Sequence, residues 1–182
     1  FIAANKEQIL ADIAALVAID SVEGQPEPGA PFGPGPKAAL EKTLELAEGM
    51  GLATRNCENY IGYAELPGTE PEKYLAAICH VDVVPAGNGW SADPFQMRLQ
   101  EDWMLGRGVA DDKGPMVAVL YALKFLKEEG VILRYPIRAL VGDNEETRME
   151  DVEYYLHNYP APVFCFTPDA EFPVCNGEKG HF

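Results

Sequence analysis

Four short polar stretches hold the side chains able to do chemistry. They are His80 and Asp82 in HVDVVP, Asp111 and Asp112 in GRGVADDKGP, Glu145 and Glu146 in GDNEET, and Asp169 in CFTPDAEF. Each stands just past an apolar run or a short meander, where strand ends of an open α/β sheet line a ligand crevice. Carboxylates gathered there repel one another, and one stays protonated unless a cation sits among them. The pattern therefore points to a divalent metal. An all-oxygen set would suit Mg or Ca, whereas an imidazole beside carboxylates moves the preference to Zn, with Mn or Co as substitutes. The acids outnumber what one zinc needs, so two ions sharing a carboxylate is the simplest arrangement. Such pairs acidify a water and leave a spare carboxylate free to act as general base. Asp82, two residues beyond His80 on the same strand face, is suited to receive the other ring proton.

Taken singly, each stretch has a plainer reading. HxD is commonly a satisfied polar pair, DDKG a helix cap, NEET a solvated turn and TPD a turn signature. The cap reading can hold for Asp112 while Asp111 binds metal. What favours one site is that all four interrupt otherwise apolar strand ends.

The elements that must position these residues follow from periodicity. Ile9, Leu10, Ile13, Leu16 and Val17 predict a helix from Lys6 to about Ile19 capped by Asn5. The Gly- and Pro-rich SVEGQPEPGAPFGPGPK predicts a loop, and PKAALEKTLELAEGMG a second helix. ATRNCENYIGYAEL and KYLAAICHVDVV read as strand segments, and FQMRLQEDWMLGRG as a short meander. Lys113 to Glu129 is a third helix, with Met116, Val119, Leu120, Leu123 and Leu126 as its apolar stripe and Gly130 at its end. YPIRALVGDNEET and PVFCFTPDAEF read as buried strands ending in acids, with the short helix MEDVEYYLHNY between them. Alternating strands and helices predict an α/β fold, a mixed sheet layered by helices.

The bulk numbers agree with a cation-binding domain. A chain of 182 residues suits a single core. With 14 Lys+Arg against 29 Asp+Glu, its net charge of -15 argues against nucleic acid and anionic membranes as partners. No apolar run is long enough to cross a bilayer, and FIAANKEQILADIAALVAID lacks the basic flank and cleavage site of a signal peptide, so a cytoplasmic location is expected. Cys57, Cys79, Cys165 and Cys175 show no CxxC spacing and are expected to be buried free thiols.

From Lys6 to Gly180 the chain resembles the di-zinc aminoacylase and carboxypeptidase G type metallopeptidases. HVDVVP, GRGVADDKGP, DNEET and TPDAEFP correspond to that family's signatures in order, and GWSADPF and DAEFPVCNGEKG are most similar to its PepV-like, carnosinase-like bacterial dipeptidases. The resemblance implies a zinc-peptidase-like sheet in which His80 and Asp169 bind one zinc, Glu146 the other, and Asp111 bridges both through a residue pair whose peptide bond is cis. It makes Glu145 the base that takes a proton from the attacking water, and Asp82 the residue orienting His80. The implied reaction is hydrolysis of the amide bond of a dipeptide or short peptide. An N-acyl amino acid deacylase and a non-catalytic metal-binding module are the alternatives. Family members are more than twice as long, adding a lid domain and a last zinc-binding His. Residues 1–182 are therefore expected to be the amino-terminal portion of the catalytic domain, with little peptidase activity alone, weakened metal binding and a tendency to self-associate. His181 is not expected to replace the missing ligand, and His157 is expected to be a surface or packing residue.

Overall fold

Alternation along three strands decides how the layers stack. Ala64, Leu66, Cys79, Val81, Ala139 and Val141 point to one side, and Ile61, Ala76 and Leu140 to the other, so the sheet is apolar on both faces. The structure, a computed structural model, describes residues 1–169. Its elements are α1 (Ile2–Val17), α2 (Pro34–Gly49), β1 (Ala53–Cys57), β2 (Ile61–Leu66), β3 (Leu75–His80), β4 (Arg98–Gln100), β5 (Trp103–Leu105), α3 (Lys113–Glu128), β6 (Ile137–Gly142), α4 (Glu150–Asn158) and β7 (Phe164–Phe166). Five strands form the sheet in the order β1-β2-β6-β3-β7, and β4 and β5 form a separate ribbon. The α/β expectation of a mixed sheet layered by helices holds.

The register explains why the polar stretches meet. β3 runs parallel to β6 with His80 opposite Gly142, and parallel to β7 with Ala77 opposite Phe166. Three strands thus finish at one edge, and the segments carrying Asp82, Glu145, Glu146 and Asp169 leave it side by side. β1 and β2 complete the other flank as antiparallel strands.

One face of the sheet packs on α2 and α3 through Ala39, Leu40, Leu44, Met116, Leu120 and Leu123. α3 is buried on a second side as well, where Val117 and Tyr121 meet Ile13, Leu16 and Val17 of α1. The opposite face is covered by Tyr155 of α4. Among the described residues no helix is long and apolar enough to cross a membrane.

Three expectations need correction. α1 starts at Ile2, four residues before Lys6, with Phe1 in the cap position and the Asn5 amide donating to the Phe1 carbonyl at 3.0 Å. The early start is anchored by the Phe1 ring, which lies edge-on to Phe125 at 5.2 Å. β7 is not buried: Phe164 is 61% and Phe166 51% exposed, because it is the outermost strand and no described element covers its faces. Cys165 on β7 is exposed for the same reason, whereas Cys57 and Cys79 are buried. His157 is exposed on α4 as expected, with Nδ1 2.8 Å from the Glu153 carbonyl. Cys175 and His181 lie outside the described residues.

The proline-rich loop runs along the exit of β3, where the Ser21 hydroxyl donates to the Val81 carbonyl at 2.6 Å and the Val83 N–H donates to the Ser21 carbonyl at 3.2 Å. Lys113, fully buried, fixes the other side. Its ammonium donates to the carbonyls of Leu16 at 2.9 Å and Ile19 at 2.8 Å, closing the end of α1. Burial lowers its pKa to about 8. Lys113→Met would leave both carbonyls without that donor and is expected to lower the unfolding free energy by about 2 kcal/mol in urea titration. An unchanged midpoint would show that the contact is dispensable.

Candidate metal centre

His80 is the last residue of β3 and is 2% exposed. Its Nδ1 lies 3.1 Å from the Asp82 carbonyl and 3.3 Å from Asp82 Oδ1. A proton on Nδ1 is satisfied there, leaving Nε2 to present a lone pair. That lone pair faces acids: Asp111 Oδ1 at 3.0 Å, Asp169 Oδ2 at 3.3 Å and Glu145 Oε2 at 3.7 Å. An acceptor ringed by acceptors is satisfied only by a cation, whether a proton or a metal.

Asp82 holds the neighbouring segment. Oδ1 accepts from the Glu145 N–H at 3.2 Å and Oδ2 from the Glu146 N–H at 3.0 Å, so one carboxylate fixes both glutamates to β3. Glu146 in turn accepts from the Val84 N–H at 3.4 Å. The two adjacent aspartates part company. The Asp111 side chain is 60% exposed toward the site, whereas Asp112 is fully buried. The bond between them is cis, in line with the resemblance. Asp112 occupies the cap position of α3 but makes no side-chain cap bond. Its Oδ2 accepts instead from the His80 N–H at 3.2 Å, and its Oδ1 is buried with no protein partner. The helix-cap reading of DDKG is therefore corrected for the side chain.

Two overlapping donor groups result. His80, Asp111 and Glu146 offer ligand atoms within 4.8 Å of one another, and so do His80, Asp112 and Asp169. Every residue singled out from the sequence converges here. Sequence reasoning missed four supporting residues, Asp151, Asn144, Thr147 and Lys113. Asp151, fully buried on α4, accepts at Oδ2 from the N–H groups of Asp143 at 2.9 Å and Asn144 at 3.2 Å. It is packed so close to β6 that a Cβ at Gly142 would lie 2.5 Å from Oδ2. The Asn144 amide donates to Thr147 Oγ1 at 2.7 Å and closes the turn. The signal for Asp151 was present, since it sits four residues before Tyr155 on the inward stripe of the helix. Lys113 carried no such signal.

The electrostatics reflect the crowding. Burial, and then neighbouring acids, hold Glu145, Glu146 and Asp169 above the usual carboxylate range against the pull of His80. Burial and then Asp169 push Asp112 up to about 7. Burial opposes a charge on His80, but its bond to Asp82 and the surrounding acids outweigh it and raise the ring to about 10. A divalent ion would relieve this accumulated repulsion, and one imidazole with several carboxylates, one of them carrying the orphaned Asp112 Oδ1, is a donor set that fits it.

Residues 76–181 match the model of peptidase family M20/M25/M40, a span that takes in all four polar stretches. The chain belongs to this family. The M20 chain is 43% identical over 182 residues to the Beta-Ala-Xaa dipeptidase of Lactobacillus delbrueckii subsp. lactis, with 98% of this chain and 38% of that protein aligned. It thus spans well under half the length of the curated relatives it matches. Human carnosine dipeptidase 1 superposes with a TM-score of 0.76 at 21% identity, over 94% of this chain and 40% of that one. The YXEP protein of Bacillus subtilis, described as a dinuclear metal binding peptidase, does so with a TM-score of 0.64 at 14% identity, over 90% and 43%. These two likenesses concern the fold.

Asp143, beside the glutamates, is 1% exposed and neither of its carboxylate oxygens has a partner. Burial, Asp151 and Asp82 raise it from 3.8 to about 9. The folded chain therefore keeps a proton that the unfolded chain releases throughout that window. The stability this group contributes is complete below pH 3.8 and is lost as pH rises toward about 9. Asp143→Asn should gain stability relative to the unmodified protein across that range, by at most about 1.4 kcal/mol per pH unit in denaturant titrations. A difference independent of pH would show that the folded carboxyl is ionised.

Proposed function

We propose that this M20 chain is the amino-terminal portion of the catalytic domain of a dipeptidase that cleaves the amide bond of dipeptides or short peptides at a two-metal centre. The observation carrying this reading is the ring of three carboxylate oxygens within 3.7 Å of His80 Nε2. Zinc is the ion that best suits an imidazole beside carboxylates, with manganese or cobalt as substitutes. In this reading His80 and Asp169 hold one ion and Glu146 the other. Asp111 is the shared ligand, a role supported by its reach to both His80 and Glu146.

Bound divalent ions supply Lewis-acid polarisation of a carbonyl and acidify a water. The chain's own groups do the rest. Asp82 keeps the imidazole in the tautomer that presents Nε2 and sets the backbone of both glutamates. Glu145 acts as the base: its carboxylate, 40% exposed and held above the ordinary range first by burial, takes a proton from the attacking water and delivers it to the leaving amine. The substrate is a small peptide, in keeping with the dipeptidase named among the relatives. A cytoplasmic setting accords with the free thiols Cys57, Cys79 and Cys165. The exposed Phe164 and Phe166 support self-association of the 182-residue chain, and its small share of the relatives' length supports little turnover by that chain alone.

Elemental analysis of the full-length polypeptide equilibrated with zinc should give two ions per chain, with at least one lost in Asp111→Ala. A single ion unaffected by that change would overturn the shared-ligand assignment. In the same polypeptide, Glu145→Gln should leave metal content intact and lower kcat by at least about a hundredfold. Turnover equal to that of the unmodified enzyme would remove Glu145 as the base.

A further inference from the structure

The β4–β5 ribbon places two arginines on one side. Arg98 pairs with Leu105, and Arg107 stands two residues beyond Leu105 and so returns to the same face, a diagonal separation that long side chains span. Both line a surface cavity of about 440 Å³, together with Trp90, Ser91 and Asn88. Arg107 is held in place: its Nη2 donates to the carbonyls of Pro85 at 3.4 Å and Ala86 at 3.3 Å, and its guanidinium lies 5.7 Å from the centroid of the Trp90 ring. The ring is itself fixed, with the indole N–H donating to the Ala86 carbonyl at 2.8 Å. Arg98 reaches the Ser91 hydroxyl at 3.3 Å.

What these arginines lack is a counter-ion. Arg134, Arg138 and Arg148 each pair with a glutamate. In a chain with 29 acids, Arg98 and Arg107 pair with no carboxylate among the described residues, and the Nε atom of each is buried without a partner. Two guanidinium groups sharing one cavity repel unless an anion lies between them, and the planar fork of each is shaped to bond an oxyanion through two N–H groups.

We propose that this cavity binds a small oxyanion, a carboxylate or a phosphate, with Arg98 and Arg107 as the charged donors, the Ser91 hydroxyl as a neutral one and the Trp90 ring as a wall. Its lining shares no residue with the cavity lined by His80, Glu145 and Asp169, and the proposal does not depend on the peptidase reading.

Replacing Trp103 by Phe leaves Trp90 as the sole indole, since the chain has two tryptophans. Fluorescence of the metal-free Trp103→Phe protein is titrated with sodium acetate and, separately, sodium phosphate at constant ionic strength. A saturable change is expected with at least one anion, and the stronger response identifies the ligand class. In Arg98→Gln the midpoint should rise at least about tenfold, whereas Arg98→Lys, which keeps the charge, should lose less. Among the described residues the Arg98 side chain makes one bond, to Ser91, so this variant is expected to keep the far-UV spectrum of the parent even if Arg107→Gln does not. Failure to saturate with either anion, or an Arg98→Gln midpoint equal to the parent's, would overturn the proposal.

Discussion

The carboxylate of Asp82 is the contact on which the arrangement turns. It is almost wholly buried, and a buried charge is tolerated only when its lone pairs are met by donors. Those donors come from two different strand exits: the His80 ring at the end of β3 and the N–H groups of Glu145 and Glu146 after β6. Satisfying one anion therefore fixes the spacing of both exits. Asp112 does the corresponding work toward the start of α3 by accepting from the His80 N–H, and Asp151 does it for the turn after Gly142. The acids divide by burial. Asp82, Asp112 and Asp151 are inside and hold main chain, whereas Asp111, Glu145 and Asp169 turn partly exposed oxygens to His80 Nε2.

Much of this was legible because parallel strands share a direction. Three apolar segments, each followed by an acid, can be laid in one sheet only with their carboxyl ends together, so HVD, NEE and TPD had to meet if they belonged to parallel neighbours. Helical periodicity likewise gave α3 nearly to its ends. That Asp112 turns inward to hold the His80 N–H was not legible, since adjacent residues of one type differ only in the direction the main chain gives them.

The other misreadings have the same origin in tertiary context. The apolar run of β7 looks like that of β6, but burial depends on what lies against a strand, and β7 is at an edge. Lysine is ordinarily a surface residue. Lys113 is inside because the turn before α3 passes the carbonyl end of α1, and the bare Gly108, at φ 84, lets the lysine stem and Val83 approach to where a Cβ would lie 3.0 Å from each. Neither fact leaves a trace in local pattern.

The separation of the donors along the chain links occupancy of the centre to folding itself. His80, Asp111, Glu146 and Asp169 come from four segments brought together only by β3, β6, β7 and the start of α3. An unfolded chain offers these acids as scattered, weak ligands. A cation held there as proposed would bind the folded state selectively and stabilise it by mass action, more strongly as its free concentration rises above the dissociation constant. If the centre holds metal as proposed, the midpoint of unfolding of this chain depends on the metal in the buffer as well as on the amino-acid sequence.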